Sequence, residues 1–299
     1  MRIVVTGATG LIGREVVEQL AEVEGVRVVA TTRDPERRSF RHVRIEWVQA
    51  FAGDPLSLAR AFTRADVVVY AAQFPNHPVE DPRRGRSYRE FDGLGTQTAV
   101  RVARACGVRR FVYLSGAGAG QGRPEPWFQA KERAESALRE SGLEFVSLRP
   151  SWIYGPRDRS LNRFVDFCRY LPFVPVIGDG RTPVFPVHVT DVARCAVEAS
   201  LREDAKAVAL EIGGPQRMTM DDVIRTLLWV LSKRRPILHQ PAGLMKPLAA
   251  GMQLLPNPML SPGAIDFLLQ EVEIDPKPAM DYFGFRFRSL EEGLREYLP

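Results

Sequence analysis

MRIVVTGATGLIG, residues 1–13, passes from a short β-branched run into a turn with three glycines and then into a helical pattern. Gly7, Gly10 and Gly13 are three residues apart, a spacing that allows a tight turn, close approach of a pyrophosphate and close helix-to-strand packing. The first turn of the helix offers unpaired N–H groups and a positive dipole end to phosphates. The stretch therefore predicts a dinucleotide-binding site at the start of the chain.

Outward from this turn, the first half of the chain alternates short apolar runs with longer helical patterns. The predicted strands are 2–5, 26–31, 44–49, 66–71, 110–114 and 144–148, and the predicted helices are 10–22, 56–61, 93–106 and 127–141. Strands that alternate with helices indicate right-handed βαβ units and a parallel sheet covered on both faces. The predicted fold class is α/β, a doubly wound, Rossmann-type parallel sheet with a smaller C-terminal α+β substrate lobe.

The regular alternation weakens after Pro150, where prolines become frequent. We predict a dinucleotide-binding domain over 1–150, with segments returning to it around 184–200, and a smaller substrate or partner lobe over 151–299. In this second part the predicted strands are 184–189 and 207–212, and the predicted helices are 190–202 and 219–231. Because no long linker separates the two parts, we expect a cleft between them.

Composition excludes several classes of protein. With 45% hydrophobic and 26% charged residues over 299 positions, the chain is an ordinary globular protein rather than a disordered or fibrous one. The net charge of +5 admits a polyanionic partner, yet no nucleic-acid motif accompanies the local basic clusters, so nucleic acid is disfavoured. The clusters are Arg83, Arg84, Arg86 and Lys233–Arg235. The sequence specifies neither a partner protein nor an oligomeric state.

The three cysteines, Cys106, Cys168 and Cys195, lack the spacing of a disulfide framework or a zinc site. We therefore expect no metal and a reducing, cytoplasmic location. The N-terminal residues lack the basic and apolar regions of a signal peptide. The apolar stretch 242–260 is interrupted by Lys246, Pro247 and Pro256, so no transmembrane segment is predicted.

The end of the second predicted strand bears on the choice of coenzyme. An NAD enzyme usually places an acid there to bind the ribose 2′-hydroxyl, and Thr32 occupies that position here. Guanidinium groups can form paired hydrogen bonds to a 2′-phosphate, so NADP(H) is favoured over NAD(H). A one-residue shift would let Asp34 serve as the acid instead. The candidate 2′-phosphate ligands are Arg14, Arg33, Arg37 and Arg38.

Several motifs together carry a family resemblance. TGATGLIG (6–13), the Gly53-Asp54 pair, Ala71-Ala72-Gln73, YLSGAG (113–118), Lys131 and LRPS (148–151) resemble the short-chain dehydrogenase/reductase superfamily. LRPSWIYGP (148–156), FPVHVTDVA (185–193) and EIGGP (211–215) are similar to its atypical, extended members. That group includes the nucleotide-binding accessory subunit of respiratory complex I and NmrA-like proteins. The resemblance covers roughly the first 215 residues.

The resemblance implies roles only at matching positions. The pyrophosphate would be cradled by Gly7, Thr9, Gly10, Leu11 and Ile12. Asp54 would lie near the adenine, and Ala71, Ala72 and Gln73 would line the ribose path. Lys131 would bond the nicotinamide ribose, with Pro150, Ser151, Trp152 and Ile153 flanking the nicotinamide.

The catalytic pattern of the family is incomplete here. Relatives use Tyr-x-x-x-Lys, in which the lysine lowers the pKa of the tyrosine for proton transfer. Trp127 takes the tyrosine position before Lys131, and an indole N–H is a donor that does not titrate usefully. The candidate catalytic residues are therefore Lys131 and Ser115. Tyr154 and His188 are possible substitute proton donors, although we expect a packing role for the first and a structural hydrogen bond for the second.

The sequence leaves two main functions open; a third, epimerase or dehydratase activity on nucleotide sugars, would normally need the tyrosine that Trp127 replaces. The first is an NADP(H)-dependent oxidoreductase for a small, mostly apolar carbonyl-type substrate, with a non-standard proton donor. The second is a non-catalytic NADP(H)-binding module, a redox sensor or assembly factor. The apolar segment 236–262 could form core, a lid over an apolar ligand, or a superficial membrane contact, in that order of preference.

Overall fold

The computed structural model describes residues 1–34, 42–75, 79–81, 85–204, 206–252 and 261–298. Its strands are β1 (Arg2–Thr6), β2 (Arg27–Thr32), β3 (Ile45–Gln49), β4 (Val67–Tyr70), β5 (Arg110–Leu114), β6 (Glu144–Pro150), β7 (Ile153–Tyr154), β8 (Val174–Ile177), β9 (Pro183–Val184), β10 (Val187–His188), β11 (Val208–Ile212), β12 (Met218–Thr219) and β13 (Ile237–Gln240).

The helices follow the same chain order. They are α1 (Leu11–Glu22), α2 (Pro55–Phe62), α3 (Thr96–Ala105), α4 (Pro126–Ser141), α5 (Ser160–Tyr170), α6 (Val189–Leu201), α7 (Met220–Val230), α8 (Ala242–Met252), α9 (Pro262–Leu268), α10 (Lys277–Phe283) and α11 (Leu290–Arg295). A π-helix over Arg89–Gly95 runs directly into α3. The predicted helix 93–106 therefore begins earlier, with a wider first part.

The main sheet of the described residues has seven strands in the order β11-β6-β5-β4-β1-β2-β3, and every neighbouring pair is parallel. The strand order reverses between β1 and β4, which opens a crevice at their carboxyl ends. The predicted doubly wound fold class is confirmed. The crevice also brings the end of β4 next to the glycine turn that follows β1.

Alternation of side chains along the strands builds a core on each face of the sheet. Ile3 and Val5 point into one apolar cluster, which combines residues of the other strands with residues of α1, α6 and α10. Val4 points into the opposite cluster, which is completed by α2, α3 and α4. Both faces are buried, as a parallel sheet requires.

The small lobe has its own apolar cluster, built from α5, α7, α11 and β8. Thr219 caps α7 through a reciprocal pair of hydrogen bonds with Asp222, so this predicted helix is found close to its expected bounds. The predicted strand 184–189 is wrong. It divides into β9 and β10 because Pro186 has no N–H to pair, and α6 already begins at Val189.

The main sheet includes a strand from later in the chain than the segment around 184–200, which we predicted to return to the first domain. The predicted strand 207–212 is found as β11, and it joins the main sheet by pairing with β6 from Val208 to Ile212. Within the described ranges, no helix is both long enough and apolar enough to cross a membrane. The segment 236–262 supplies β13 and α8, while residues 253–260 lie outside the described part. α8 leaves Leu244 and Leu248 exposed, so the expectation that this segment is mainly core is wrong there.

Candidate cofactor and substrate site

The glycine turn after β1 is a close-packed cradle. Gly7 has φ +67°, and a Cβ there would lie 2.7 Å from the Ala71 carbonyl oxygen. A Cβ on Gly13 would lie 2.2 Å from the Gly7 carbonyl oxygen, far inside van der Waals contact. A Cβ on Gly10 would lie 3.2 Å from the same oxygen, which is also closer than most Cβ contacts. The turn therefore accepts only glycine at Gly7 and Gly13.

The first turn of α1 is open to an anion. Gly10 is the N-cap with extended φ and ψ, no side chain caps the helix, and no acid lies in the first turn. The N–H groups of Leu11 and Ile12 have no intrahelical acceptor, as at any helix start. With exposed Thr9 beside them, these groups fit a pyrophosphate at the cradle.

An exposed arginine, Arg33, follows β2 at the predicted binding position of a 2′-phosphate. Arg33 is exposed, and its carbonyl oxygen accepts a hydrogen bond from Gln49 Nε2 at 2.9 Å. Thr32, at the acid position, accepts a hydrogen bond from the Asp34 N–H at 3.3 Å. Arg14 Nε donates to Glu18 Oε1 at 2.8 Å on α1, so that guanidinium already has an acid partner. Arg37 and Arg38 lie outside the described residues.

Asp54 has a structural role at the start of α2. Its carboxylate accepts hydrogen bonds from the N–H groups of Leu56 at 3.1 Å and Ser57 at 3.3 Å. The hydrogen bonds from Ser57 and Leu56 hold the pKa of Asp54 below its usual value. Asp54 is thus a charged helix cap, and its predicted place near the adenine stays a prediction.

The ends of β4 and β5 are tied together beside the cradle. Ala71 and Ala72 are half-buried, and their backbone atoms lie within 2.8 Å of the position that a Cβ on Gly7 would take. Exposed Gln73 donates through Nε2 to the Leu114 carbonyl oxygen at 3.3 Å. These three residues lie at the carboxyl edge, where the predicted ribose path would run.

Lys131 is buried rather than facing solvent. Its side chain is 0% exposed, and its Nζ lies 2.8 Å from Oδ1 of Asp92, itself only 2% exposed. A longer contact of 3.5 Å joins Nζ to the Leu114 carbonyl oxygen. Asp92 comes from the π-helix and also accepts the Phe74 N–H at 3.1 Å. A buried ion pair therefore holds the lysine, and only the remaining N–H of its ammonium could reach a cofactor.

Sequence reasoning missed Asp92. The only local signal was a carboxylate inside a helical pattern, and this pattern alone does not tell a buried partner from a solvated one.

The indole at the tyrosine position fills space beside β5. A Cβ on Gly116 would lie 2.3 Å from Trp127 Cη2, so the indole lies directly against that backbone. The Trp127 ring meets Phe267 edge-on, with centroids 5.6 Å apart, and Phe128 at 4.8 Å. Trp127 is therefore part of an aromatic cluster with Phe128 and Phe267 and gives the site no titrating group.

Ser115 is 1% exposed at the end of β5, and its N–H donates to the Leu148 carbonyl oxygen at 2.7 Å. Its hydroxyl lies near the carboxylate of Glu135 but has no hydrogen-bond partner among the described residues. Burial would raise the pKa of Glu135, but hydrogen bonds and charge from Arg149 outweigh it and keep the pKa low. Glu135 therefore stays ionised, with Ser147 and Arg149 as its hydrogen-bond donors.

The segment after β6 is held by backbone hydrogen bonds at the carboxyl edge. The Ala117 N–H donates to the Pro150 carbonyl oxygen at 2.9 Å, and the Ser151 N–H donates to that of Ile212 at 2.8 Å. Trp152 turns away towards Ser160, whose Oγ accepts its indole N–H at 2.7 Å. Ile153 continues into β7, which pairs with β10. Pro150 and Ser151 therefore lie at the carboxyl edge of the main sheet, and their place beside the nicotinamide stays a prediction.

The two substitute proton donors lie in the small lobe. Tyr154 is fully buried, and its hydroxyl donates to the Ser289 carbonyl oxygen at 3.2 Å. His188 packs edge-on against that ring, is 3% exposed, and its nitrogens have no hydrogen-bond partner among the described residues. Burial lowers the pKa of His188. Tyr154 is a packing aromatic as expected, whereas the structural hydrogen bond expected of His188 is not formed.

A strap of the C-terminal part, residues 267–274, crosses the carboxyl edge of the main sheet. Three glycines after β5, β8 and β11 make room for it: Gly118 for Val272, Gly178 for Leu269 and Gly213 for Ile274. A Cβ on these glycines would lie 3.1, 2.8 and 2.5 Å from the three apolar side chains. Arg123 Nη1 also donates to the Glu271 carbonyl oxygen at 2.7 Å. The strap therefore packs against the loops that follow β5, β8 and β11, and its first residue, Phe267, contacts Trp127.

Comparison with protein families gives one match that spans just over half of the chain. A family described as NAD(P)H-binding matches residues 7–168, a range that begins at the first glycine of the cradle. The match includes Trp127 and Lys131, so it also covers the candidate site residues on α4.

Two curated proteins are similar over most of the chain. A (4-alkanoyl-5-oxo-2,5-dihydrofuran-3-yl)methyl phosphate reductase from Streptomyces griseus is 31% identical over 266 residues, which are 86% of this chain and 83% of that protein. A mitochondrial NADH dehydrogenase 1 alpha subcomplex subunit 9 from Arabidopsis thaliana is 28% identical over 270 residues, 85% of this chain. The match spans 63% of the plant protein, which is less than two thirds of its length.

The fold is shared with solved structures of more distant sequence. The UDP-glucose 4-epimerase of Thermotoga maritima, solved with UDP-glucose, superposes with a TM-score of 0.75 at 22% identity, covering 99% of this chain and 98% of that one. At this identity the likeness supports the architecture of both lobes and says nothing of the substrate.

Proposed function

Because the chain belongs to the NAD(P)H-binding family, among the atypical, extended short-chain dehydrogenases/reductases, we propose that it is an NADP(H)-dependent oxidoreductase for a small apolar carbonyl-type substrate. The observation that carries the proposal is the cradle, in which Gly7 and Gly13 admit no side chain. Further support comes from the Streptomyces relative, whose name describes a reductase of an alkanoyl-oxo-dihydrofuranyl methyl phosphate.

The residues present fit a bound dinucleotide. The N–H groups at the start of α1 would hold its pyrophosphate, and Arg33 would bind a 2′-phosphate. When bound, the nicotinamide supplies a hydride. Asp92 fixes the ammonium of Lys131, and Trp127 with Phe267 excludes water and presents an apolar wall. Ser115 would orient a carbonyl oxygen, and the proton must come from a group other than residue 127.

A reducing compartment, the cytoplasm, is part of the proposal. Its support is that Cys106, Cys168 and Cys195 are all unpaired in the structure. The name of the plant relative places that protein in mitochondria, so relatives occur in more than one compartment.

Titration of the purified protein with NADPH and NADH tests the proposal. We expect calorimetry to show tighter binding of NADPH, followed by a loss of absorbance at the reduced nicotinamide band when apolar carbonyl compounds are added. Binding without turnover on any carbonyl would remove the enzymatic part of the proposal, and binding of neither nucleotide would remove all of it.

Arg33→Ala tests the coenzyme preference. Loss of a charge-assisted hydrogen bond to the 2′-phosphate should lower the affinity for NADPH about 10- to 100-fold and leave the affinity for NADH nearly unchanged. Arg101→Ala, an exposed arginine on α3, is the matched control and should change neither affinity. Equal weakening of both coenzymes by Arg33→Ala would contradict the assignment.

A non-catalytic NADP(H)-binding module is a second candidate, favoured by one observation. The charge of Lys131 is already balanced by Asp92 in a buried pair, and Trp127 cannot titrate. A module of this kind would use nucleotide occupancy to set the state of the small lobe.

Trp127→Tyr and Trp127→Phe separate the two candidates. Both remove the indole, but only the first restores a phenol one helical turn before Lys131. If the site is an oxidoreductase site, we expect the tyrosine variant to reduce carbonyl compounds with NADPH about 100-fold faster than the phenylalanine variant. Equal, negligible rates in both variants would favour the binding module.

A further inference from the structure

A second concave surface lies at the end of the main sheet opposite the cradle. It is formed where β1 and β2 begin and α2 ends, and its volume is about 550 Å³. We call it the amino-end pocket. The charged side chains that line it are Arg2, Arg27, Arg60, Arg64, Glu46 and Asp66.

The amino-end pocket has more cations than the protein itself balances. Arg2 Nη1 lies 2.9 Å from Glu46 Oε2, and Asp66 accepts the backbone N–H of Arg2 at 2.7 Å. Within the described ranges, the guanidinium groups of Arg27, Arg60 and Arg64 make no hydrogen bond or ion pair. Four arginines therefore face two carboxylates around one depression.

Folding accounts for only part of this arrangement, since Arg60 lies in the last turn of α2, where the helix dipole favours a cation. Arg2 and Arg27 are register partners on neighbouring strands, where like charges repel each other. Arg64 has φ +58°, a left-handed conformation that is unfavourable for a residue with a side chain. At the end of α2, the Ala59 carbonyl oxygen already accepts the N–H and the hydroxyl of Thr63, so it needs no arginine.

We propose that the amino-end pocket binds a small, multivalent phosphate-bearing anion. Guanidinium groups form paired hydrogen bonds with phosphate oxygens, and a bound anion would relieve the repulsion between neighbouring arginines. The volume lies within the range of small-molecule sites. Because this pocket is at the amino end of the strands, its occupant is distinct from a dinucleotide in the cradle.

Calorimetric titration with pyrophosphate tests this site. The protein is first saturated with NADPH, so that pyrophosphate cannot bind at the glycine turn. We expect pyrophosphate to bind more tightly than inorganic phosphate or sulfate, and Arg60→Ala/Arg64→Gly to weaken it at least 10-fold. Glycine at position 64 keeps the left-handed turn, so the double variant should fold.

Arg163→Ala/Arg234→Ala removes two exposed arginines of the small lobe and is the matched control, which should change pyrophosphate affinity less than twofold. If the first double variant unfolds, Arg27→Ala replaces it as the test, and this variant must lower the affinity for pyrophosphate. Equal weakening by the control pair, or no binding by the NADPH-loaded protein, would overturn the proposal. If NADPH itself does not bind, the same comparison on the free protein decides for or against the pocket independently of the proposed function.

Discussion

Gly13→Ala is expected to lower NADPH affinity on the order of a hundredfold and to destabilise the fold by about 1–3 kcal/mol. The new Cβ would lie 2.2 Å from the Gly7 carbonyl oxygen, so β1 and α1 must move apart. That movement displaces the N–H groups that would receive the pyrophosphate. Calorimetry with NADPH and chemical denaturation measure the two effects.

Gly243→Ala is the matched control for this substitution. Gly243 lies in α8 with no heavy atom within 4 Å of the position of its Cβ, so alanine should leave NADPH affinity unchanged. Unaltered NADPH binding by Gly13→Ala would show that the cradle is not where the dinucleotide sits.

Lys131→Met is expected to destabilise the fold by about 3–5 kcal/mol, because it leaves the Asp92 carboxylate buried without its counter-charge. Lys131→Met/Asp92→Asn should recover much of this loss, since the amide still accepts the Phe74 N–H and carries no charge. Urea denaturation of the two variants and the parent protein gives both differences.

Lys277→Ala supplies the exposed comparison. Lys277 pairs with Asp281 on α10, with side chains 72% and 64% exposed, so its loss should not move the denaturation midpoint measurably. If the double variant at Lys131 and Asp92 is as unstable as the single one, the ion pair is not the cause of the loss.

Local patterns predicted the part of the fold that local rules govern. The β-branched runs from 2–5 to 144–148 are found as strands, and the glycine spacing at 7, 10 and 13 gives the cradle. Each of these features depends on neighbours within a few residues. The same holds for α7, where Thr219 and Asp222 make the capping pair that ends the preceding loop.

Other features depend on contacts between residues that are far apart in sequence. Asp92 meets Lys131 only because the π-helix and α4 pack together, and no periodicity in either segment gives that pairing. Likewise, the ring of Phe267 contacts that of Trp127, although the two residues are 140 positions apart in sequence. A single sequence read by periodicity and motif identifies the members of such a site separately, without showing which of them touch.

The strap has a consequence for variation in chain length. Leu269, Val272 and Ile274 each occupy the space left by a different glycine, in loops that follow β8, β5 and β11. Surface loops usually tolerate inserted or deleted residues. Here one residue more or fewer between 269 and 274 would move at least one of the three apolar side chains away from the glycine that it contacts. Among natural variants of this protein, the spacing of these three positions should therefore be invariant even where the surrounding residues differ.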